Sequence, residues 1–248
     1  MPLDQLVASY WSQPELATNL LVLANMAGAL LLGLLVGYER SYHGRAAGMR
    51  TYGLVCMASA ALMMVAGYPD SWYGGQGTAM TLGIDPTRVI QGIVTGIGFL
   101  GAGVIMREGF NISGLTTAAS IWTASAIGVM VGVGFYLAAI GLALLSAGIM
   151  IYLSRLEGVL PSRHAIAISL RFDPGYAPRE AELRRLALER GYEIAGGSLT
   201  ISNDHGVHEW RFVALALSKH SGAPLSDLAH ELSKYEGVSS FKLAHARN

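Results

Sequence analysis

The chain has 248 residues, 52% of them apolar and 14% charged, with a formal net charge of +0, 31 glycines and a mean hydropathy of +0.42. Ordinary globular proteins carry about 25% charged residues, so this composition excludes an ordinary soluble domain, and the balanced charge leaves no basic field for nucleic acid. The single cysteine, Cys56, excludes an internal disulfide and a CxxC metal or redox pair.

The charges are unevenly placed. Residues 1–157 hold six arginines and seven acids, whereas the 91 residues of 158–248 hold eleven basic and ten acidic side chains. A membrane domain over 1–157 followed by a cytosolic domain over 158–248 accounts for both counts. A bilayer core of about 30 Å takes roughly 20 apolar residues per helix. Five segments offer them: Ala17 to Gly37, Thr51 to Ala66, Val89 to Met106, Leu115 to Gly132 and Phe135 to Leu153. Val133 and Gly134 alone separate the last two, which predicts an antiparallel hairpin or else one long re-entrant unit. The N-terminal run carries no Lys or Arg before Arg40 and is too long for a signal-peptide core, so it reads as an uncleaved span. Arg40, Arg45, Arg50, Arg107, Arg155 and Arg163 all fall on one side of the spans and only Arg88 on the other. By the positive-inside rule the N-terminus lies outside and the C-terminus in the cytoplasm, as an odd number of spans requires.

The C-terminal segment changes period. His164 to Phe172 alternates as a strand, and Pro178 to Gly191 is amphipathic with Leu183, Leu186 and Leu188 among charged neighbours. Strands over Ser198 to Ser202 and Glu209 to Leu217 follow, then a helix over Pro224 to Tyr235 and a strand over Val238 to Ala244. The order βαββαβ is a split βαβ, or ferredoxin-like, α+β unit. The fold class is thus an α-helical polytopic membrane protein with about five transmembrane helices and an appended α+β domain.

Within the five segments as drawn there is no Asp, Glu, Lys, Arg or His. Ion and proton carriers usually place such groups at membrane depth, so a coupled cation pump is disfavoured, although Asn19, Asn25, Gln91 and Thr95 offer neutral oxygens. Gly33 and Gly37, Gly92 and Gly96, and Ala124, Gly128 and Gly132 recur every four residues, the spacing that brings membrane helices close. Close packing within the bundle and a face for another membrane helix both fit that spacing. Gly96, Gly98 and Gly101 spell GxGxxG, yet they lie inside an apolar span with no acid near Ile121, so with Gly103 they read as packing glycines rather than a dinucleotide loop. Charged residues crowd the inner rim instead. Glu39, Arg40, Arg45 and Arg50 bracket the first loop, and Arg107 with Glu108 opens the second. Thr51, Thr116 and Thr117 stand beside them at helix starts, where backbone N–H groups favour anions. No GxSxG, HExxH or P-loop is present, so no catalytic set, metal site or cofactor is assigned, and the protein is expected not to be an enzyme.

Taken together, Gly37-Tyr-Glu-Arg40, Gly48-Met-Arg-Thr51, Gln91, Gly96-Ile-Gly-Phe-Leu-Gly-Ala-Gly103, Val104-Ile-Met-Arg-Glu-Gly109 and Gly114-Leu-Thr-Thr-Ala-Ala119 with Trp122 resemble the MgtC/SapB membrane protein family. The resemblance spans roughly residues 20 to 155. It implies a five-span bacterial inner-membrane protein linked to growth at low magnesium and to virulence, with an ACT-like C-terminal domain. It further implies a regulator that binds the membrane part of the F-type ATP synthase. Tyr52 stands where many members have histidine, and Ser41 where an acid often follows Glu-Arg.

Two functions from different classes follow. The first is a regulator whose glycine-rich spans contact a partner membrane protein. The second is a transporter or channel for Mg²⁺, another small ion or a metabolite, with Gln91, Thr95 and Thr116 lining a neutral pore and Glu39 and Asp85 at its mouths. The C-terminal unit is an allosteric sensor or a dimerisation module. His205 and His208, near Asp204 and Glu209, read as loop and strand-edge residues rather than metal ligands.

Overall fold

The computed structural model describes residues 3–73, 75, 85–108, 111–153, 156, 163–204, 206–218 and 221–245. These fall into two compact units, 1–106 with 114–155 and 107–113 with 156–248. After a short helix α1 (Leu3–Tyr10), five helices are long and apolar enough to cross a membrane. They are α2 (Gln13–Tyr42), α3 (Met49–Gly67), α4 (Pro86–Val104), α5 (Leu115–Val133) and α6 (Tyr136–Gly148), the last continued by a π-helical turn over Ile149–Leu153.

Local chemistry sets their ends. Pro14 sits in the first turn of α2, where its missing N–H costs nothing. Asp85 caps α4 by accepting from the Thr87 N–H at 2.9 Å. At the α5–α6 turn, Gly134 takes the left-handed conformation (φ +92), and the N–H groups of Gly134 and Phe135 close onto the carbonyls of Val131 and Met130 at 3.0 and 2.8 Å. That turn is the tight hairpin which the two-residue gap predicts.

The first helix corrects the expected boundaries. Nothing between Ala17 and Tyr42 breaks a helix, so α2 runs for 30 residues and ends only before Gly44, whose φ is +62. At 1.5 Å per residue it is about 45 Å long, well beyond a 30 Å hydrocarbon core. Glu39 and Arg40 are therefore helical residues of its last turns, not members of a loop, and the connection to α3 shrinks to residues 43–48. Arg50 and Arg88 likewise lie in the first turns of α3 and α4, so the spanning helices do carry ionisable groups near their ends. A second correction concerns α4, which stops at Val104. Met106 and Arg107 belong to a short strand, β1 (Met106–Glu108), that pairs with β2 (Asn111–Ser113).

Helix α3 is central to the bundle. Half of its spanning window is buried, against 11% for α4. Tyr52, Cys56 and Ala60 of α3 pack with Ala29 and Val36 of α2 and with Ile121, Ala124 and Ile127 of α5. The glycines divide accordingly. A Cβ on Gly33 would fall 2.5 Å from the Tyr52 carbonyl oxygen, and one on Gly37 would fall 2.7 Å from Met49 Cα. On the other side of α3, Gly128 abuts the Cys56 carbonyl and Ser59, and Gly132 would place a Cβ 2.7 Å from Met63 Cβ. Gly101 makes only an ordinary contact with Ala118, at 3.7 Å. Around Gly92, Gly96, Gly98 and Gly103 no atom lies within 4 Å of an added Cβ. The reading of these four as packing glycines within this chain is corrected, because α4 buries only Ile93, Ile97 and Gly101 and leaves all four exposed.

The second unit follows the ferredoxin-like order. Its strands are β3 (Ala165–Phe172), β4 (Tyr192–Ile194), β5 (Thr200–Asp204), β6 (Val207–Ala216) and β7 (Val238–His245), with helices α7 (Glu180–Glu189) and α8 (Leu225–Leu232). The antiparallel sheet runs β4-β6-β3-β7, with β5 also on β6. Strands β4 and β5 are two halves of one edge strand. Gly197, with φ +78, lies in the break, where the Val213 N–H bonds the Ser198 hydroxyl at 3.1 Å instead of a strand carbonyl. The expected single strand at Ser198 thus begins earlier and is split. Leu170, Phe172, Leu183, Ile194, Trp210 and Phe212 form the core beneath the helices.

On the β3–β6 ladder, Glu209 accepts from Arg211 Nε at 2.8 Å and from the Ser169 hydroxyl at 3.0 Å. The Arg211 hydrogen bond holds its carboxyl below the ordinary value of 4.5. A lowered carboxylate stabilises the fold fully above its unfolded pKa and loses that contribution as pH falls through the folded value. The unfolding midpoint of this unit should therefore fall on acidification from about pH 5 to pH 3, and less steeply in Glu209→Gln. Trp210 fluorescence checks this in a chain whose other three tryptophans, Trp11, Trp72 and Trp122, are phenylalanine.

Candidate functional site

The charged end of α2 meets α3 and α5 in a buried polar cluster. Glu39 and Arg40 are 7% and 6% exposed, and Arg40 Nε donates to Glu39 Oε2 at 2.5 Å. The second carboxylate oxygen of Glu39 lies 3.0 Å from Nδ1 of the half-exposed His43. Ser41 closes the short connection by accepting from the Met49 N–H at 2.8 Å, which ties the end of α2 to the start of α3.

Tyr52 continues the cluster inward. It is fully buried, within electrostatic range of Arg40 and Glu39, and its hydroxyl hydrogen-bonds the Ser120 hydroxyl on α5. Ser120 in turn donates to the Thr117 carbonyl at 2.9 Å, which leaves Tyr52 as the donor to Ser120. Two turns further along, Ser59 and Ser125 pair across the same interface at 2.9 Å. Hydrogen bonds thus satisfy the polar groups in the α3–α5 seam that close glycine contacts dehydrate.

Of the residues singled out from the sequence, the structure gathers Glu39, Arg40 and Thr117 here. Arg50, Thr51, Gln91, Thr116 and Trp122 are exposed on the helical unit. The Thr95 hydroxyl is satisfied by its own helix, donating to the Gln91 carbonyl at 2.8 Å. Gln91, Thr95 and Thr116 therefore face outward from this chain rather than into a channel between its helices. Arg107 is exposed on β1 and Glu108 ends that strand. Sequence reasoning passed over Ser59, Ser120 and Ser125. Only Ser120 carried a signal in spacing, since it continues the series Ala124, Gly128, Gly132 by one turn. Among the described residues no group of three or more His, Cys, Asp or Glu is placed to hold a metal ion. His208 lies in β6, and His205 lies outside the described residues.

Five helices long and apolar enough to span a membrane, the first of them ending in a buried ion pair, are joined in sequence to a ferredoxin-like unit and define a polytopic membrane protein with an appended α+β domain. The profile of the MgtC family matches residues 26–159, and the chain belongs to that family. It is 46% identical over 111 residues to Protein MgtC of Brucella abortus (strain 2308), an alignment covering 45% of this chain and 42% of that protein. To Protein MgtC of Salmonella typhimurium (strain 14028s / SGSC 2262) it is 45% identical over 111 residues, covering 44% and 42%. The match thus spans less than half the length of these curated relatives. No solved structure matches the chain.

Proposed function

We propose that this chain is a non-catalytic regulator of the MgtC type. It acts from the bacterial inner membrane, with its N-terminus outside and an ACT-like domain in the cytoplasm, where a second copy of that domain can pair with it. It supports growth at low magnesium and virulence by binding and restraining a membrane partner, with the F-type ATP synthase as first candidate. One observation carries the reading. Between α3 and α4 lies an open apolar groove of about 530 Å³, bordered by Leu54, Leu62 and Ile93, in which Gly92 and Gly96 present bare backbone. Bare helix backbone on a lipid-facing side lets another membrane helix approach closely. The three-helix core beside it is closed by glycine contacts, which supports regulation over conduction.

The test is capture of partners from native membranes under magnesium limitation, comparing the wild type with Gly92→Leu and Gly96→Leu. Both leucines fill open space, so folded protein should be recovered in normal amount while partner capture falls at least tenfold. Recovery of ATP synthase subunits with either variant at the wild-type level would refute the groove as the contact. Conduction of Mg²⁺ by purified protein in liposomes, at the turnover of a carrier, would refute the regulator.

A further inference from the structure

We propose that the ferredoxin-like unit binds a medium-chain carboxylate between its helices and its sheet. Helices α7 and α8 lie on the same face of the sheet, and a cavity of about 290 Å³ opens between them. Ile168 and Phe212 of the sheet and Ala187 and Leu228 of the helices form its walls. The tyrosines that reach it are already engaged. Tyr192 donates to the Ala223 carbonyl at 2.9 Å, and Tyr235 hydrogen-bonds Tyr176. Among the described residues its interior thus offers apolar surface and no free polar partner, so whatever enters must be apolar along its length.

The mouth is different. Arg190, at the end of α7, and Lys234, just past α8, stand there with a single carboxylate, Glu231, and Arg190 Nη2 bonds Glu231 at 2.7 Å. Glu182 and Arg185, both in electrostatic range of Tyr235, cancel each other, so two cations against one anion leave a net positive rim among the described residues. The Arg190–Glu231 pair is 51% and 40% exposed, and an ion pair so wet contributes little. A ligand carboxylate can therefore recruit Arg190, whose planar fork matches it, while Lys234 balances the added charge. The volume lies just under the ~300–1,000 Å³ typical of ligand pockets. That suits one acyl chain of medium length and excludes a diacyl lipid.

The experiment uses the full chain in phosphatidylcholine nanodiscs and a ten-carbon carboxylic acid bearing a chain diazirine. After irradiation, peptides of α7 and α8 should carry label that excess decanoate removes and decylamine does not. Labelling there should fall about tenfold in Ala187→Phe, which fills the cavity, and several-fold in Lys234→Gln, an exposed change that leaves the core intact. Hydrogen exchange of β3 at the wild-type rate shows that Ala187→Phe is folded. Label confined to the spanning helices, or label on α7 and α8 unchanged in Ala187→Phe, would overturn the site. Equal competition by decylamine, or full labelling in Lys234→Gln and Arg190→Gln, would overturn the carboxylate.

Discussion

Leucine in place of Gly128 should abolish folded protein, while alanine in place of Gly98 should leave it as stable as the wild type or slightly more so. Gly128 lies in the α3–α5 seam, where a first side-chain atom already meets the Cys56 carbonyl and comes within 2.8 Å of Ser59 Cβ. Backbone cannot swing aside as a flexible side chain can, so the helices themselves must part. Overpacking a tight core costs about 1–3 kcal/mol and more where backbone must move. Parting α3 from α5 would also break the Ser59–Ser125 and Tyr52–Ser120 hydrogen bonds. Gly98 faces open space, and alanine there gains up to about 1 kcal/mol of helix propensity. Size-exclusion chromatography of detergent extracts, followed by thermal unfolding, distinguishes the two. A Gly128→Leu protein with the wild-type elution and midpoint would show that α3 and α5 are not packed on glycine.

The second large effect concerns the buried ion pair. Arg40→Met should destabilise the helical unit by about 3–5 kcal/mol, because it leaves the Glu39 carboxylate buried without its main partner. Replacing both, in Glu39→Leu with Arg40→Met, should recover most of that loss, since two apolar side chains remove the uncompensated charge along with the pair. His43→Ala should cost far less. Its ring is half-exposed, so its contact with Glu39 is weakened by solvent. Denaturation midpoints of the three variants in one detergent test the ordering. A double variant less stable than Arg40→Met alone would mean that Glu39 holds a partner other than Arg40 and His43.

Much of this architecture is legible in composition and period. The five apolar segments, the turn at Gly134 and the alternating strands each follow from a local pattern that needs no partner. The helix ends are less legible, because hydropathy reports where residues are greasy and not where a helix stops. Glu39 and Arg40 look like loop residues for that reason. They are helical because no breaker precedes Gly44, and buried because α3 starts close enough to cover them.

The site is less legible still. Nothing in Gly33, Gly96 or Gly128 as letters distinguishes one from another, since all belong to four-residue series in apolar runs. Only the placement of α3 between α2 and α5 makes Gly33 and Gly128 contacts and leaves Gly96 bare. Tyr52 shows the same point from the polar side. As a departure from the family pattern it carries no partner, and its bond to Ser120, 68 residues away, exists only once the helices pack.

By itself the sequence determined a five-span membrane unit, an appended ferredoxin-like unit and membership in one family's pattern, because hydrophobic period and local turn chemistry act over a few residues. The tertiary structure alone decided which glycines are contacts, which charges are buried and where cavities remain. Those depend on distances between segments far apart in the chain, and sequence spacing does not encode which side of a helix its neighbours will cover.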